Sequence, residues 1–275
     1  MPVPLEPGEQ RPLVVRRPLP GVTVARFAGD PPLVRGVPDR YGTTMHLAGR
    51  SHWTNGRAEW SSGPGSVGVK VPREVTVERA REGGLAFQVV LFEAALVDEA
   101  RVVLERPVLA PQVHAIDPRD PRAQPLRALH RQLLDEARPP ALEELVCEAL
   151  YALVDLLCEP RGAEPGRRST LRTPVARARA LLDARLTEAV DLDALAAHAR
   201  LDKFRLCRAF REQVGLPPRA YVTHRRVALA QELLARGMSQ TEVAARVGFY
   251  DQSLLHRHFK RILGFTPGAF ARATA

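Results

Sequence analysis

Apolar residues recur along this chain in two rhythms, and the change from one to the other divides it. Between about residues 20 and 110, short runs rich in β-branched residues ("GVTVARF", "SVGVKV", "EVTVERA", "LAFQVVLFEA") are broken by Gly and Pro. Runs of this length, without long helices between them, predict a small β sandwich or barrel. From Leu126 onward the rhythm is helical. "PLRALHRQLLDEA" spaces Leu126, Leu129, Leu133 and Leu134 along one helix face. "ALEELVCEALYALVDLLCE" does the same with Leu142, Leu145, Val146, Ala149, Leu150, Leu153, Val154 and Leu157. With Pro139-Pro140 between them, these predict a helical hairpin over 111–158, its wide apolar stripe packing on the strands or on a second copy. "EPRGAEPGRRSTLRTP" has no periodic apolar face and reads as a flexible linker over 159–174. The proline-rich start reads as a disordered or extended lead-in over 1–19. Everything over 175–275 is helical in pattern.

That last segment contains a repeat. "LAAHARLDKFRLCRAFREQVGLPP" and "VAARVGFYDQSLLHRHFKRILGFTP" superpose at a shift of 49, with Asp202 on Asp251, Leu206 on Leu255, Arg208 on Arg257, Phe210 on Phe259, Gly215 on Gly264 and Pro218 on Pro267. The helices before them match at 48, Ala196 on Ala244, so the second turn is one residue longer. Each copy predicts a short helix, a tight turn and a second helix, the latter over 203–214 and 252–263. In the second copy Ser239 and Glu242 form a capping-box pair, Gly248 supplies the positive φ after the first helix, and Asp251 caps the next. Leu255, Phe259 and Ile262 then share one face, and Ser253, His256, Arg257 and Lys260 project away from it. In the first copy Leu206 and Phe210 face in; Phe204, Cys207, Arg208 and Arg211 face out. A helix, a turn and a helix with a basic outer face form the helix-turn-helix signature. Its donors suit phosphate oxygens and base edges in a major groove. The intervening "RAYVTHRRVALAQELLARG" is amphipathic over roughly 25–30 Å. It could hold two recognition helices about one DNA turn apart, near 34 Å.

Charge sharpens this division. The chain of 275 residues carries a formal +9, yet residues 167–275 hold 20 basic and 9 acidic side chains, against 20 and 22 in residues 1–166. A basic module joined to a near-neutral one points to a polyanion-binding half and a half with other work. Arginine makes up 37 of the 40 basic residues, which explains the choice of Arg over Lys but not the asymmetry. Three cysteines (Cys147, Cys158, Cys207) without a C-x-x-C argue against a disulfide framework or a zinc site, and are expected to be small buried hydrophobes. No apolar run approaches the roughly 18 residues of a membrane span, and the start lacks a signal-peptide core, so a cytoplasmic location away from membranes is expected.

The pattern A-x-x-V-G-F-x-D-Q-S-x-x-x-R-x-F-K-R-x-x-G-x-T-P, here Ala244 to Pro267, resembles the DNA-binding domain of the AraC/XylS family of bacterial transcription regulators. The first copy matches more loosely, with Arg200 where the family usually has Gly and Asp202 where it has Ser. The resemblance implies an α+β chain: a cupin-like β jelly roll over 20–110, the hairpin as a dimerisation element, and an all-α domain with two helix-turn-helix units. It implies double-stranded DNA as partner, contacted by Phe204, Arg205 and Arg208 from the first unit and by Gln252, Ser253, His256, Arg257 and Lys260 from the second. Cys207 stands where a polar base contact is common in the family. "SSGPGSVGVKVPREV" resembles the family's P-G-D segment between two strands, with Ser66 in the acidic position. A homodimer, a small-molecule effector and, for an activator, a surface for RNA polymerase complete the expectation.

His52-Trp53 is the expected effector-pocket lining, Trp offering an apolar face and an N–H. His46, His52 and His114 form no H-x-H, so neither a metal nor another cofactor is expected in the barrel. His256 and His258 point about 200° apart on a helix and cannot share an ion. An enzyme reading would need those missing ligands, or the reactive zinc-bound cysteine cluster of a DNA-repair methyl acceptor, and the first 146 residues contain no cysteine. A DNA-binding protein whose N-terminal half is only a dimerisation scaffold is the other alternative.

Overall fold

The computed structural model describes residues 11–29, 33–55, 58–106, 115–116, 119–134, 141–158 and 173–274. Strands β1 (Arg11–Leu19), β2 (Val22–Gly29), β3 (Arg35–Gly36), β4 (Tyr41–Asn55), β5 (Ala58–Ser62), β6 (Val67–Lys70) and β7 (Thr76–Phe92) precede helix α1 (Ala94–Val103) and strand β8 (Ala115–Ile116). Helices α2 (Gln124–Gln132) and α3 (Leu142–Leu157) follow, then α4 (Thr173–Ala184), α5 (Leu192–Ala199), α6 (Lys203–Val214), α7 (Pro218–Ala235), α8 (Gln240–Arg246), α9 (Gln252–Leu263) and α10 (Pro267–Thr274). The strands pair antiparallel in the order β1-β2-β7-β4-β6-β8, with β3 on β7 and β5 on β4. The chain is thus α+β: an antiparallel sheet with helices, then a helical domain.

Two runs read separately in the sequence, "EVTVERA" and "LAFQVVLFEA", belong to the one strand β7, interrupted by Gly83-Gly84. Opposite them on β4, Gly49 has φ +77° and approaches Gly84 so closely that a Cβ would lie 2.5 Å from its carbonyl oxygen. Only glycine lets the two long strands cross at that bend. Ser66, in the position of the family's acidic residue, holds the turn before β6 by accepting from Gly63 N (2.9 Å) and donating to Gly63 O (2.6 Å).

Several expectations are corrected. The lead-in over 1–19 is shorter, because Arg11–Leu19 is an edge strand; residues 1–10 lie outside the described residues. Pro12 and Pro18 fall within the two register breaks of β1, where a missing N–H costs no ladder bond. The segment 94–103 is a helix, and β8 carries part of the 111–158 segment into the sheet. The linker lies outside the described residues as far as 172, and Thr173-Pro174 already open α4, where proline fits the first turn. Cys147 is exposed and Cys207 half-buried; only Cys158 is buried as expected.

One sheet face, with Val22, Val24, Val67, Val69, Val90 and Phe92, packs against α1, α2 and α3. The hairpin stripe is spent here: Leu126, Leu129, Leu142, Leu153 and Leu157 are at most 1% exposed. Their burial contributes on the order of 10 kcal/mol before entropy, an upper bound, so the stripe belongs to its own sheet. A second core joins Val77 of β7 and the flanking Val37 and Val75 to α4–α7, and a third joins the end of α7 to α8–α10. Arg225 on α7 ion-pairs with Asp39 between β3 and β4, and lies 3.4 Å from Asp183 on α4. The helical domain is therefore docked on the sheet by both apolar and charged contacts.

Three buried histidines make this core acid-sensitive. His130 meets Thr43 Oγ1 at 2.9 Å and the Gln88 amide at 3.2 Å, an arrangement suited to a neutral ring. Burial pushes its pKa down to about 3. Burial first, with nearby cations second, pushes His46 and His224 down to about 4. Folded values below the unfolded value of about 6.5 mean that the unfolded chain binds the extra protons. Stability is full above that pH and falls as pH drops from about 6.5 toward 4. The urea midpoint is expected to fall already between about pH 6.5 and 5, where most carboxylates remain ionised; a flat midpoint there would contradict it.

Candidate nucleic-acid interface

The two repeat units are built by the same local chemistry. In the first, α5 ends at Arg200, which takes the left-handed conformation (φ 57°, ψ 44°) without glycine's freedom, at a cost of about 1 kcal/mol. Asp202 then accepts from the backbone N–H groups of Phe204 and Arg205, both at 3.0 Å, and starts α6. In the second, Ser239 and Glu242 complete a reciprocal capping box on α8, Gly248 turns the chain at φ +81°, and Asp251 accepts from Leu254 N at 2.7 Å to start α9. Gly215 and Gly264 close the two helices at φ 92° and 86°. Leu206 and Phe210, and correspondingly Leu255 and Phe259, are fully buried.

This burial fixes what faces outward. Phe204 is 78% exposed, and Arg205 and Arg208 are also exposed. Arg205 lies 3.3 Å from Asp202, and Arg208 Nε donates to Glu212 at 2.9 Å. On α9, Gln252, Ser253, His256, Arg257 and Lys260 are all exposed, and the helix contains no acidic residue. Gln252 accepts from Thr241 at 3.1 Å, which leaves its amide N–H₂ available. His258 turns inward and stacks on Phe249 at 5.5 Å, so His256 and His258 diverge. Arrays of this kind can bond phosphates and base edges.

Two residues beyond those expected complete the surface. Tyr250, 94% exposed, stands in the turn before α9 beside Ser253 and Arg257, at the variable position of the motif. Arg226 on α7 joins the units. It donates to Leu186 O (2.8 Å) and Glu188 O (2.5 Å) before α5, and to Gly248 O (2.7 Å) in the second turn, with its guanidinium 5.9 Å from the Phe249 ring centre. Helix α7, with 18 residues, is about 27 Å long. Its length and Arg226 together set the spacing of the two units.

The effector residues separate. His52 lies half-exposed on the sheet, bonded to Ser61 at 2.8 Å and 3.8 Å from Glu82, and does not line the cavity that Trp53 lines. Trp53 does line one: a space of about 270 Å³ between the sheet face opposite the α1–α3 helices and helices α7, α9 and α10. Thr23, Ala25, Phe27, Phe87 and Val89 form its sheet wall, and Val227, Ile262 and Phe270 belong to the helical wall. Lys70 also lines it. Burial lowers the pKa of its ammonium, and among the described residues no acid lies within ion-pair distance.

A pair of capped helix-turn-helix units held by one stiff helix defines the class of DNA-binding proteins. The chain belongs to the AraC/XylS family of transcription regulators, and a helix-turn-helix domain family matches residues 195–273. It is 31% identical over 90 residues to the HTH-type transcriptional activator AarP of Providencia stuartii, covering 32% of this chain and 67% of that protein. It is 35% identical over 83 residues to the HTH-type transcriptional regulator MtrA of Neisseria gonorrhoeae, covering 30% of this chain but 28% of that one. The whole fold is similar to that of ToxT from Vibrio cholerae (TM-score 0.56, 94% of this chain and 99% of that chain, 10% identity). It is similar also to wild-type ToxT with unsaturated fatty acid bound (TM-score 0.56, 93% and 96%, 11%). AarP and MtrA are transcription regulators, and this chain is a DNA-binding transcription regulator, not an enzyme.

Proposed function

We propose that each chain sets α6 and α9 in successive major grooves and that an amphipathic anion, a carboxylate with an apolar tail, controls their placement from the cavity between the domains. Phe204, Arg205 and Arg208, with Gln252, Ser253, His256, Arg257 and Lys260, are the contacting residues on this reading. One observation carries the effector half: Lys70 is a half-buried cation with no acid within ion-pair distance among the described residues, on the wall of a largely apolar cavity that Asp39 and Glu232 also line. Such a cation is costly until an anion joins it. ToxT, similar in fold, takes an unsaturated fatty acid. The opposite wall includes Ile262 and Leu263 at the end of α9, so a ligand touching them would bias the recognition helix.

On the same reading the sheet from β1 onward is the regulatory domain, 159–172 a linker, and the helices from α4 onward the DNA-binding domain. The outer face of α3, with Tyr151 and Cys147 exposed, joins a homodimer. The protein works in the cytoplasm, where RNA polymerase is a further partner of an activator; no described helix is long and apolar enough to cross a membrane.

The test is DNA affinity of the full chain titrated with sodium oleate. Affinity is expected to change on titration, and Lys70→Gln is expected to raise the half-effect concentration by about tenfold or more, the scale of a lost charged hydrogen bond. An unchanged response in Lys70→Gln, or an equal response to methyl oleate, would refute the carboxylate site. No response at all would leave the sheet domain as a scaffold.

A further inference from the structure

A second, open cleft of about 1080 Å³ lies between the sheet and both helix-turn-helix units. The sheet contributes Arg35 from β3 and Arg79 from β7; α6 contributes Arg208 and Arg211, and α9 contributes Arg261. All five are exposed. Glu212, bonded to Arg208, is the only acid among the lining residues. Arg79 is oriented by its Nε, which donates to Thr54 Oγ1 at 2.9 Å. Among the described residues no acid lies within ion-pair distance of Arg35, Arg79 or Arg211. His224, buried between this cleft and the apolar cavity, carries the mark of this field: after burial, Arg261 and Arg35 are the charges that lower its pKa.

Five guanidiniums along one cleft repel one another unless a polyanion lies there. Arg208 identifies the polyanion, because it belongs both to the cleft and to the exposed face of α6. The cleft is therefore continuous with the reading surface and runs between the two recognition helices. In a complex that engages two successive major grooves, the sugar-phosphate backbone passes through that interval.

We propose that the sheet domain is itself part of the DNA footprint: Arg35 and Arg79 contact backbone phosphates between the two boxes. This rests on the reading in which α6 and α9 engage DNA. The regulatory domain then adds sequence-independent affinity when docked, and a ligand that shifts its docking alters affinity without touching a base contact.

The experiment measures log Kobs against log salt for the full chain, for R35Q/R79Q and for R257A, on a selected site and on scrambled DNA. R35Q/R79Q is expected to lower the salt slope by about 2, since each lost phosphate contact removes about 0.9, and to weaken both DNAs by a similar factor. R257A is expected to weaken the selected site more than the scrambled one. A wild-type slope in R35Q/R79Q, with R257A still losing specificity, would overturn the proposal and leave the helix reading intact. A wild-type slope in R35Q/R79Q with R257A indistinguishable from wild type would overturn both. Pyrophosphate binding that the double variant abolishes, without any change in the DNA slope, would overturn it in favour of a small-anion site.

Discussion

Gly248→Ala is expected to destabilise the protein by about 3 kcal/mol or more and to abolish the contribution of α9 to DNA binding. Two costs combine. Gly248 has φ +81°, where a Cβ costs about 1–2 kcal/mol in any setting. Its Cβ would also lie 2.2 Å from the carbonyl oxygen of Thr187, and a backbone carbonyl cannot rotate away as a side chain can. The turn must open, and the start of α9 moves with it. Gly237→Ala isolates the first cost, because Gly237 has φ +83° and nothing within 4 Å of the added carbon. Urea unfolding of the two variants reads the difference directly. Equal losses would show that the contact with Thr187 gives way without strain.

Arg226→Ala is expected to cost about 2–4 kcal/mol, since charged hydrogen bonds to three carbonyls, two of them partly buried, are lost together. The larger effect concerns geometry. Leu186 and Glu188 precede the first unit and Gly248 belongs to the second, so Arg226 is the strut that fixes one unit against the other. Binding to a two-box site is expected to fall far more than binding to either box alone. Arg226→Lys keeps the charge but cannot span three carbonyls, so it is expected to resemble the alanine variant. Equal losses on one-box and two-box DNA would mean that Arg226 serves stability alone.

The helical domain was largely legible because its determinants are local. Asp202, Ser239, Asp251 and Gly248 act within a few residues of their own helix ends, and the bounds expected for the two outer helices, 203–214 and 252–263, coincide with α6 and α9. The sheet was less legible. Strand β4 carries Thr43, Thr44, His46 and Thr54 among its apolar residues, because one face meets the helices and the other meets the cavity, and no clean alternation survives. His130, Gln88 and Thr43 form a buried polar set from three distant segments. Lys70 appears as an ordinary strand lysine until the fold sets it on the cavity wall, and Arg226 as one basic residue among many until its three carbonyls, 22 to 40 positions away, come together. His52 and Trp53, adjacent in sequence, end in different places: one on the surface, the other on the cavity wall.

Random-sequence DNA selection with the full chain, followed by a spacing series on the selected site, tests the central claim most directly. With α6 and α9 both reading DNA from one rigid frame, as proposed, two short boxes about one helical turn apart, near 34 Å, are expected, and inserting about half a turn between them should reduce binding to that of a single box. A single selected box, or two boxes whose spacing can be changed by half a turn without loss, would contradict the account.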